Sequence, residues 1–289
     1  MAQAAPRRDV RTWLAFVKFE HTLFALPFAY AGMTVAADGW PGFATFAWIT
    51  LAMAGARTAA MAVNRVVDAA IDARNPRTAD REIPAGRLSR RDGVILALIG
   101  FAALAVAGWA LNPLTAALLP VAVVFLTLYP WTKRFTWACH LWLGVTIGAA
   151  AAGGAIAVTG RFDLAALLLW IAVGAWIAGF DVIYALLDLD FDTAHGIHSI
   201  PVRFGPQRAV RIAGVAHLVA VAALLALPTV APLGAPYLVV VVAGVAPLLA
   251  AQQWLVRRRG VGAALRAFNA NLWISALVLG GVILDVIVR

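Results

Sequence analysis

Residues 171–201 read IAVGAWIAGFDVIYALLDLDFDTAHGIHSIP, a run apolar enough for lipid that ends in Asp181, Asp188, Asp190 and Asp192 and in His195 and His198. Ionisable groups inside a membrane segment are expensive, so they mark functional sites or the ends of spans. The stretch reads as a membrane-crossing helix whose last turns carry chemistry, provided the rest of the chain also lives in a bilayer.

The composition meets that condition. Of 289 residues 63% are hydrophobic and 13% charged, with a mean hydropathy of +0.87, too apolar for a water-soluble globule. About 17 to 25 apolar residues cross about 30 Å of hydrocarbon. Nine such segments are present, at 21–38, 43–66, 92–111, 113–130, 138–158, 164–186, 208–228, 233–254 and 267–287. The expected fold is an all-α membrane protein of nine transmembrane helices around a cavity. No linker or low-complexity tract divides 1–289, which reads as one membrane-embedded domain. The start, MAQAAPRRDVRTW, has arginines but no apolar core with a small-residue cleavage site, so no signal peptide is expected. The run GAAAAGGAIA at 148–157 reads as a surface for close helix packing. A single cysteine, Cys139, excludes an intramolecular disulfide and a multi-cysteine metal site.

The formal charge of +9 is a matter of topology and does not call for nucleic acid. Arg7, Arg8, Arg11 and Lys18 precede the first span. Arg74, Arg77, Arg81, Arg87, Arg90 and Arg91 follow the second, Lys133 and Arg134 the fourth, Arg203, Arg208 and Arg211 the sixth, and Arg257, Arg258, Arg259 and Arg266 the eighth. The opposite loops carry only Arg161, and the C-terminus Arg289. By the positive-inside rule the basic loops and the N-terminus are cytosolic, which makes the chain a multi-pass protein of the inner membrane with its C-terminus outside.

The second and sixth spans end alike, in NRVVDAAIDARNPRTADREIPAG and DVIYALLDLDFDTAHGIHSIPVRFG. On a helix, residues four or seven apart share a face. Asp68 and Asp72 are so related, as are Asp181, Asp188 and Asp192 with Tyr184 among them, and Asn64 lies one turn before Asp68. Both helices run the same way, so these five carboxylates reach one depth and can converge, while Asp190 points elsewhere. Such a cluster repels itself unless cations neutralise it. Hard oxygen ligands favour Mg²⁺, commonly bound through one or two carboxylates plus substrate phosphates. Arg77, Arg81, Lys133, Arg134 and Arg203 can hold phosphate oxygens, and Glu20 and His21, at the start of the first span, read equally as a polar pair lining a pocket and as a snorkelling interfacial pair. Asp80, Asp92 and Asp163 read as helix caps or solvated groups. The site therefore suits a lipid diphosphate held through Mg²⁺; a carboxylate-relay secondary transporter is the alternative of a different class, but a relay strings its carboxylates across the membrane.

These residues also carry a family resemblance. The chain resembles the UbiA-type superfamily of intramembrane aromatic prenyltransferases, whose first motif, N-D-x-x-D-x-x-x-D followed by R-T-x-x-R-x-x-P-x-G, is matched by Asn64, Arg65, Asp68, Asp72, Arg77, Thr78, Arg81, Pro84 and Gly86. The second, D-x-x-Y-A-x-x-D-x-x-x-D with G-x-K-S, is matched by Asp181, Tyr184, Ala185, Asp188, Asp192, Gly196, His198 and Ser199, and a third, Y-x-x-x-K-R-x-T, by Tyr129, Lys133, Arg134 and Thr136. Two positions depart: Arg65 stands for an aspartate and His198 for a lysine. Both departures, with FEHTLFALPFA at 19–29, DARNPRT and HGIHSIPVRFG, resemble the menaquinone branch of the futalosine pathway. The resemblance implies Mg²⁺-dependent transfer of a polyprenyl group from its diphosphate to 1,4-dihydroxy-6-naphthoate, with 4-hydroxybenzoate of ubiquinone synthesis as the alternative acceptor.

As for roles, it implies that Asp68, Asp72, Asp188 and Asp192 hold the metal. Asn64, Arg77, Arg81, Arg203 and His198 would bind substrate, with Lys133 assisting the leaving group and Arg134 pairing with the acceptor carboxylate. Tyr129 and Tyr184 would face the allylic cation or hydrogen-bond to carboxylates. Asp181, deepest of the second set, would position the acceptor hydroxyl or take the ring proton.

Overall fold

The computed structural model describes residues 9–18 and 22–289. Glu20 and His21, two of the candidate pocket residues, lie outside the described residues. Everything described is helix, turn or loop. A short helix, α1 (Val10–Phe16), opens on Asp9, whose side chain accepts from the Thr12 N–H as an N-cap. It is followed by α2 (Thr22–Ala37), α3 (Phe43–Asp72), α4 (Arg90–Leu111), α5 (Pro113–Thr132), α6 (Cys139–Thr159) and α7 (Leu164–Ala185). Two short helices, α8 (Leu189–Ala194) and α9 (Ile200–Phe204), lead to α10 (Pro206–Ala226), α11 (Ala235–Val240), α12 (Ala246–Arg259), α13 (Ala264–Asn269) and α14 (Asn271–Val288).

Eight helical stretches among the described residues are long and apolar enough to cross a membrane. The chain is a multi-pass membrane protein. The ninth expected span corresponds to α2, which is apolar but only 16 residues long as described, or about 24 Å at 1.5 Å per residue. Its expected start at 21 falls on the residues left undescribed. Two spans run further than hydropathy indicates. Helix α3 continues beyond 66 to Asp72, because its last turns pack polar side chains into the protein. Helix α7 ends at Ala185, but a 3₁₀ turn, Leu186–Asp188, carries the chain directly into α8.

The sequence punctuates these elements. Ser89 and Asp92 form a reciprocal capping box at the start of α4, and Asp163 caps α7 through the Ala166 N–H, so both act as expected. Between α11 and α12, Val241–Val245 forms a single π turn just before Pro247. Proline has no N–H and its ring crowds the carbonyl one turn back; a π turn absorbs both problems without ending the span.

Helix α3 packs on α4 and α5, while α6 joins α2 to α7; α7 in turn packs on α10, and α14 returns to α2. Phe28, Leu169, Trp176, Tyr237 and Ile274 sit in the shared apolar core of the second group. There the Trp176 indole N–H donates to Asn271 Oδ1 at 3.0 Å, which satisfies a polar group that would be costly to bury alone. Leu98, Ile99, Val106 and Trp109 on α4 and Val215 and Leu218 on α10 face outward, where lipid replaces water as solvent.

The small-residue run at 148–157 serves packing, as read. Ala151, Ala152 and Ala155 are buried, and a Cβ built on Gly154 would lie 2.1 Å from the Ala29 carbonyl oxygen of α2. Only glycine permits that approach. Replacing Gly154 by valine should therefore force α2 and α6 apart at a cost of about 1–3 kcal/mol. In detergent, the thermal midpoint and yield of folded protein should both fall; an unchanged midpoint would mean the two helices have slack.

Candidate active site

All the carboxylates singled out by spacing meet at one end of the bundle. The last turns of α3 bring Asp68 and Asp72, and the end of α7 with the 3₁₀ turn and α8 brings Asp181, Asp188 and Asp192. The five line a cavity of about 220 Å³ together with Asn64, Arg77, Arg81, Tyr129, Lys133, Tyr184 and His198. Asp190 is exposed and off the cavity, as expected from its phase on the helix. Ile71, Leu143 and Phe191 add apolar wall.

The acidic and basic side chains are paired across elements. Asp68 is 1% exposed. Its carboxylate accepts from Lys133 Nζ at 2.6 Å, from an Arg134 terminal nitrogen at 3.1 Å and from Asn64 Nδ2 at 2.9 Å, which pins α3 to the turn after α5. Asp72 takes one Arg81 terminal nitrogen on both oxygens at 2.8 Å, closing the loop at 73–89 back onto α3. Asp188 receives Arg77 Nε at 2.8 Å and Asn75 Nδ2 at 3.0 Å, and a second Arg77 nitrogen completes a two-pronged grip. Thus the loop after α3 holds the end of α7. Burial works against the Arg77 charge, but its hydrogen bond to Asp188 and the neighbouring Tyr184 raise the guanidinium above its ordinary range. Arg77 also donates to the Tyr184 hydroxyl at 2.7 Å, so this tyrosine hydrogen-bonds while its ring lines the cavity.

The remaining two carboxylates differ. Asp192 lines the cavity, and its side chain has no hydrogen bond or ion pair among the described residues. Asp181 faces no arginine or lysine: its Oδ2 lies 2.7 Å from His140 Nδ1 at the start of α6.

The structure corrects several expectations. The five carboxylates ring a shared space but do not converge on one point: among the described residues no three Asp, Glu, His or Cys side chains stand close enough to share a metal ion. Each of Asp68, Asp72 and Asp188 is drawn instead to its own cation. Arg134 lies off the main cavity, beside a smaller one of about 140 Å³. Its donors go to Asp68 and to the Pro130 and Val67 carbonyls, so it braces α3 and is not placed to meet an acceptor carboxylate. Arg203 on α9 is exposed and does not line the cavity. Tyr129 lines it, with its hydroxyl donating to the Ala60 carbonyl at 3.1 Å.

The departure at Arg65 has a structural explanation. The side chain is 3% exposed, donates to the Phe16 carbonyl at 3.3 Å and stands 4.0 Å from Glu82. It therefore ties α1 to the loop of Arg77 and Arg81. The departure at His198 leaves a cavity-lining residue whose backbone N–H donates to the Lys133 carbonyl at 2.8 Å. That reversal runs through Gly196 at φ +65°, a left-handed conformation that glycine adopts without strain.

Three residues were missed by the sequence reading. Asn75 sits inside the quoted motif run, so its neighbours gave a signal. His140 had none, because its relation to Asp181 is purely spatial. Arg57 is an arginine inside the span read as 43–66, two turns before Asn64, and its Nε is buried with no hydrogen-bond partner among the described residues.

A helical membrane bundle with a cavity of paired carboxylates and cations at one end defines a membrane-embedded enzyme for an anionic substrate. The family model for the UbiA prenyltransferase family matches residues 25–275, and the chain belongs to that family: it is a prenyltransferase. Relatives named 4-hydroxybenzoate octaprenyltransferase include one from Alkalilimnicola ehrlichii, 34% identical over 88% of this chain and 86% of its own length. Another, from Tolumonas auensis, is 31% identical over 91% and 89%. Among solved structures, the apo UbiA homolog from Aeropyrum pernix K1 superposes with a TM-score of 0.84 at 35% identity, covering 92% of this chain and 98% of that one. The fold is also that of the Archaeoglobus fulgidus UbiA homolog bound to GPP and Mg²⁺, at a TM-score of 0.74, 17% identity and coverage of 94% and 99%.

The Asp72–Arg81 pair provides a test of the ion-pair framework. Removing one partner of a buried pair leaves the other charge uncompensated, at about 3–5 kcal/mol. Arg81→Ala should lower the unfolding midpoint substantially, and Asp72→Asn added to it should recover part of the loss. Equal destabilisation by the single and double variants would show that the pair is not the source.

Proposed function

We propose that this chain transfers a polyprenyl group from polyprenyl diphosphate to the ring of a hydroxylated aromatic acid, a quinone precursor. The observation that carries this reading is the cavity in which Arg77, Arg81 and Lys133 lie interleaved with Asp72, Asp188 and Asp68. A diphosphate entering there meets basic groups already at the wall, and each carboxylate a cation leaves is available for a metal ion.

The donor set fits Mg²⁺: hard carboxylate oxygens, few in number, beside cations that can hold phosphate. Asp68, Asp72, Asp188 and Asp192 would hold it, and when bound it supplies neutralisation of diphosphate charge. The chain's own residues do the rest. Arg77, Arg81 and Lys133 stabilise the charge that develops on the leaving diphosphate as the allylic carbon–oxygen bond breaks. The rings of Tyr129 and Tyr184 lie along the cavity where the allylic cation forms. Asp181 takes the ring proton after the new carbon–carbon bond forms. Arg134, with three hydrogen bonds committed to Asp68 and to the Pro130 and Val67 carbonyls, keeps Asp68 in place. The whole of 1–289 acts as one catalytic unit, in the inner membrane, with the cavity open to the cytosol where the basic loops lie.

For the acceptor, the names of the relatives favour 4-hydroxybenzoate. A second reading, 1,4-dihydroxy-6-naphthoate, rests on Arg65, His198 and the branch-like segments DARNPRT and HGIHSIPVRFG.

Purified protein in detergent, given a polyprenyl diphosphate and Mg²⁺, should convert one of these two acids to its prenylated product, read by mass. Asp188→Ala and added EDTA should each cut the rate by about 100-fold or more. Product from the benzoate alone supports the first acceptor and product from the naphthoate alone the second; no Mg²⁺-dependent product from either acid defeats the proposal.

A further inference from the structure

Asp181 is held differently from the other paired carboxylates of the cavity. Asp68, Asp72 and Asp188 are neutralised by lysine or arginine, so their oxygens are already engaged by cations. Asp181 is paired with an imidazole, and its side chain keeps 25% exposure where His140 keeps 5%. An ionised carboxylate only accepts hydrogen bonds, so His140 Nδ1 carries the proton and donates to Oδ2 at 2.7 Å. That leaves Oδ1 without a partner among the described residues, on a side chain that lines the cavity. The other ring nitrogen, Nε2, is buried and has no hydrogen-bond partner among the described residues. The histidine has therefore been buried at a cost, and its short hydrogen bond is to Asp181, with the thiol of Cys139 as its other polar neighbour.

We infer that His140 is a positioning residue for this reaction: it fixes Asp181 so that one oxygen is tied and the other is presented to the acceptor ring. The inference rests on the prenyl-transfer reading. The allylic carbon–oxygen bond breaks with its electron pair leaving on diphosphate, and the ring carbon's π electrons form the new carbon–carbon bond. The hydrogen on that ring carbon then passes as a proton to Asp181 Oδ1, and its bonding pair restores the aromatic ring. His140 lines the same cavity, but its Nδ1 is committed to Asp181 and its Nε2 is buried. It acts through the orientation of the carboxylate, as a second group orients the base in other acid–base sites.

The test is a double-mutant cycle on the Mg²⁺-loaded enzyme with both substrates saturating. Asp181→Asn should lower kcat by about 10²- to 10⁴-fold, the usual contribution of a general base. His140→Leu should lower kcat by about 10-fold or more, leaving KM for the prenyl diphosphate within about 2-fold, and His140→Gln, which keeps an N–H donor, should recover most of the loss. The double variant should be no slower than Asp181→Asn alone, because a positioning role for His140 acts through the Asp181 carboxylate. A multiplicative double loss, an unchanged kcat in His140→Leu, or a parallel rise in KM for the diphosphate would overturn the assignment. Should His140→Leu fail to fold, His140→Gln decides through the same cycle: additivity with Asp181→Asn overturns it. A wild-type protein that transfers no prenyl group to either acid overturns the functional reading and this inference with it, whereas an active wild type with an indifferent His140 overturns only the latter.

Discussion

Asp68 is a carboxylate almost wholly removed from solvent at the end of a helix that has just crossed a membrane. In so low a dielectric an isolated negative charge is unsustainable, and attraction to a neighbouring cation is correspondingly strong. Lys133 and Arg134 supply the cations from the turn after α5. The same requirement recurs at Asp72 and Asp188, answered by Arg81 and Arg77 from the loop after α3. Neutralising these charges draws two polar segments over the end of the bundle, and the cavity is the space that they enclose.

This arrangement makes the site's resting state a store of matched charges. The basic side chains stand where phosphate oxygens would be held, and while paired they keep the carboxylates from repelling one another. On the proposed function, a diphosphate with its metal ion would exchange one set of ionic contacts for another of the same kind, so the cavity would not need to be rebuilt to accept it. Two carboxylates are not neutralised by lysine or arginine among the described residues: Asp192, whose side chain is left open to a metal ion, and Asp181, paired with a histidine. The division suits a reaction in which most of the acidic groups manage charge and one handles a proton.

Much of the scaffold was legible because bilayer thickness and hydropathy impose it directly. Segments of sufficient apolar length, basic loops on one side, and carboxylates four and seven apart near the ends of two spans are all local patterns. The least legible boundaries were those where a helix leaves lipid for protein: α3 runs on to Asp72, and α7 tightens into a 3₁₀ turn at Leu186–Asp188. Hydropathy responds to the apolar part of a helix and is blind to the turns whose polar groups are satisfied by neighbours. The spacing also overstated the convergence of the carboxylates, since periodicity places side chains on a face and says nothing of the cations that draw each one aside.

The amino-acid sequence by itself determined that the chain is a helical membrane protein with its acidic motifs at one end, because these follow from local periodicity and composition; the family was legible in the motifs that the chain shares with it. Tertiary structure decided which cation meets which carboxylate. It turned Arg134 into a brace for Asp68, left Arg203 at the surface, used Arg65 to dock α1, and set His140 against Asp181 from a different helix. Those outcomes depend on distances between residues dozens of positions apart, which packing of α3, α5, α6 and α7 fixes and no local pattern encodes.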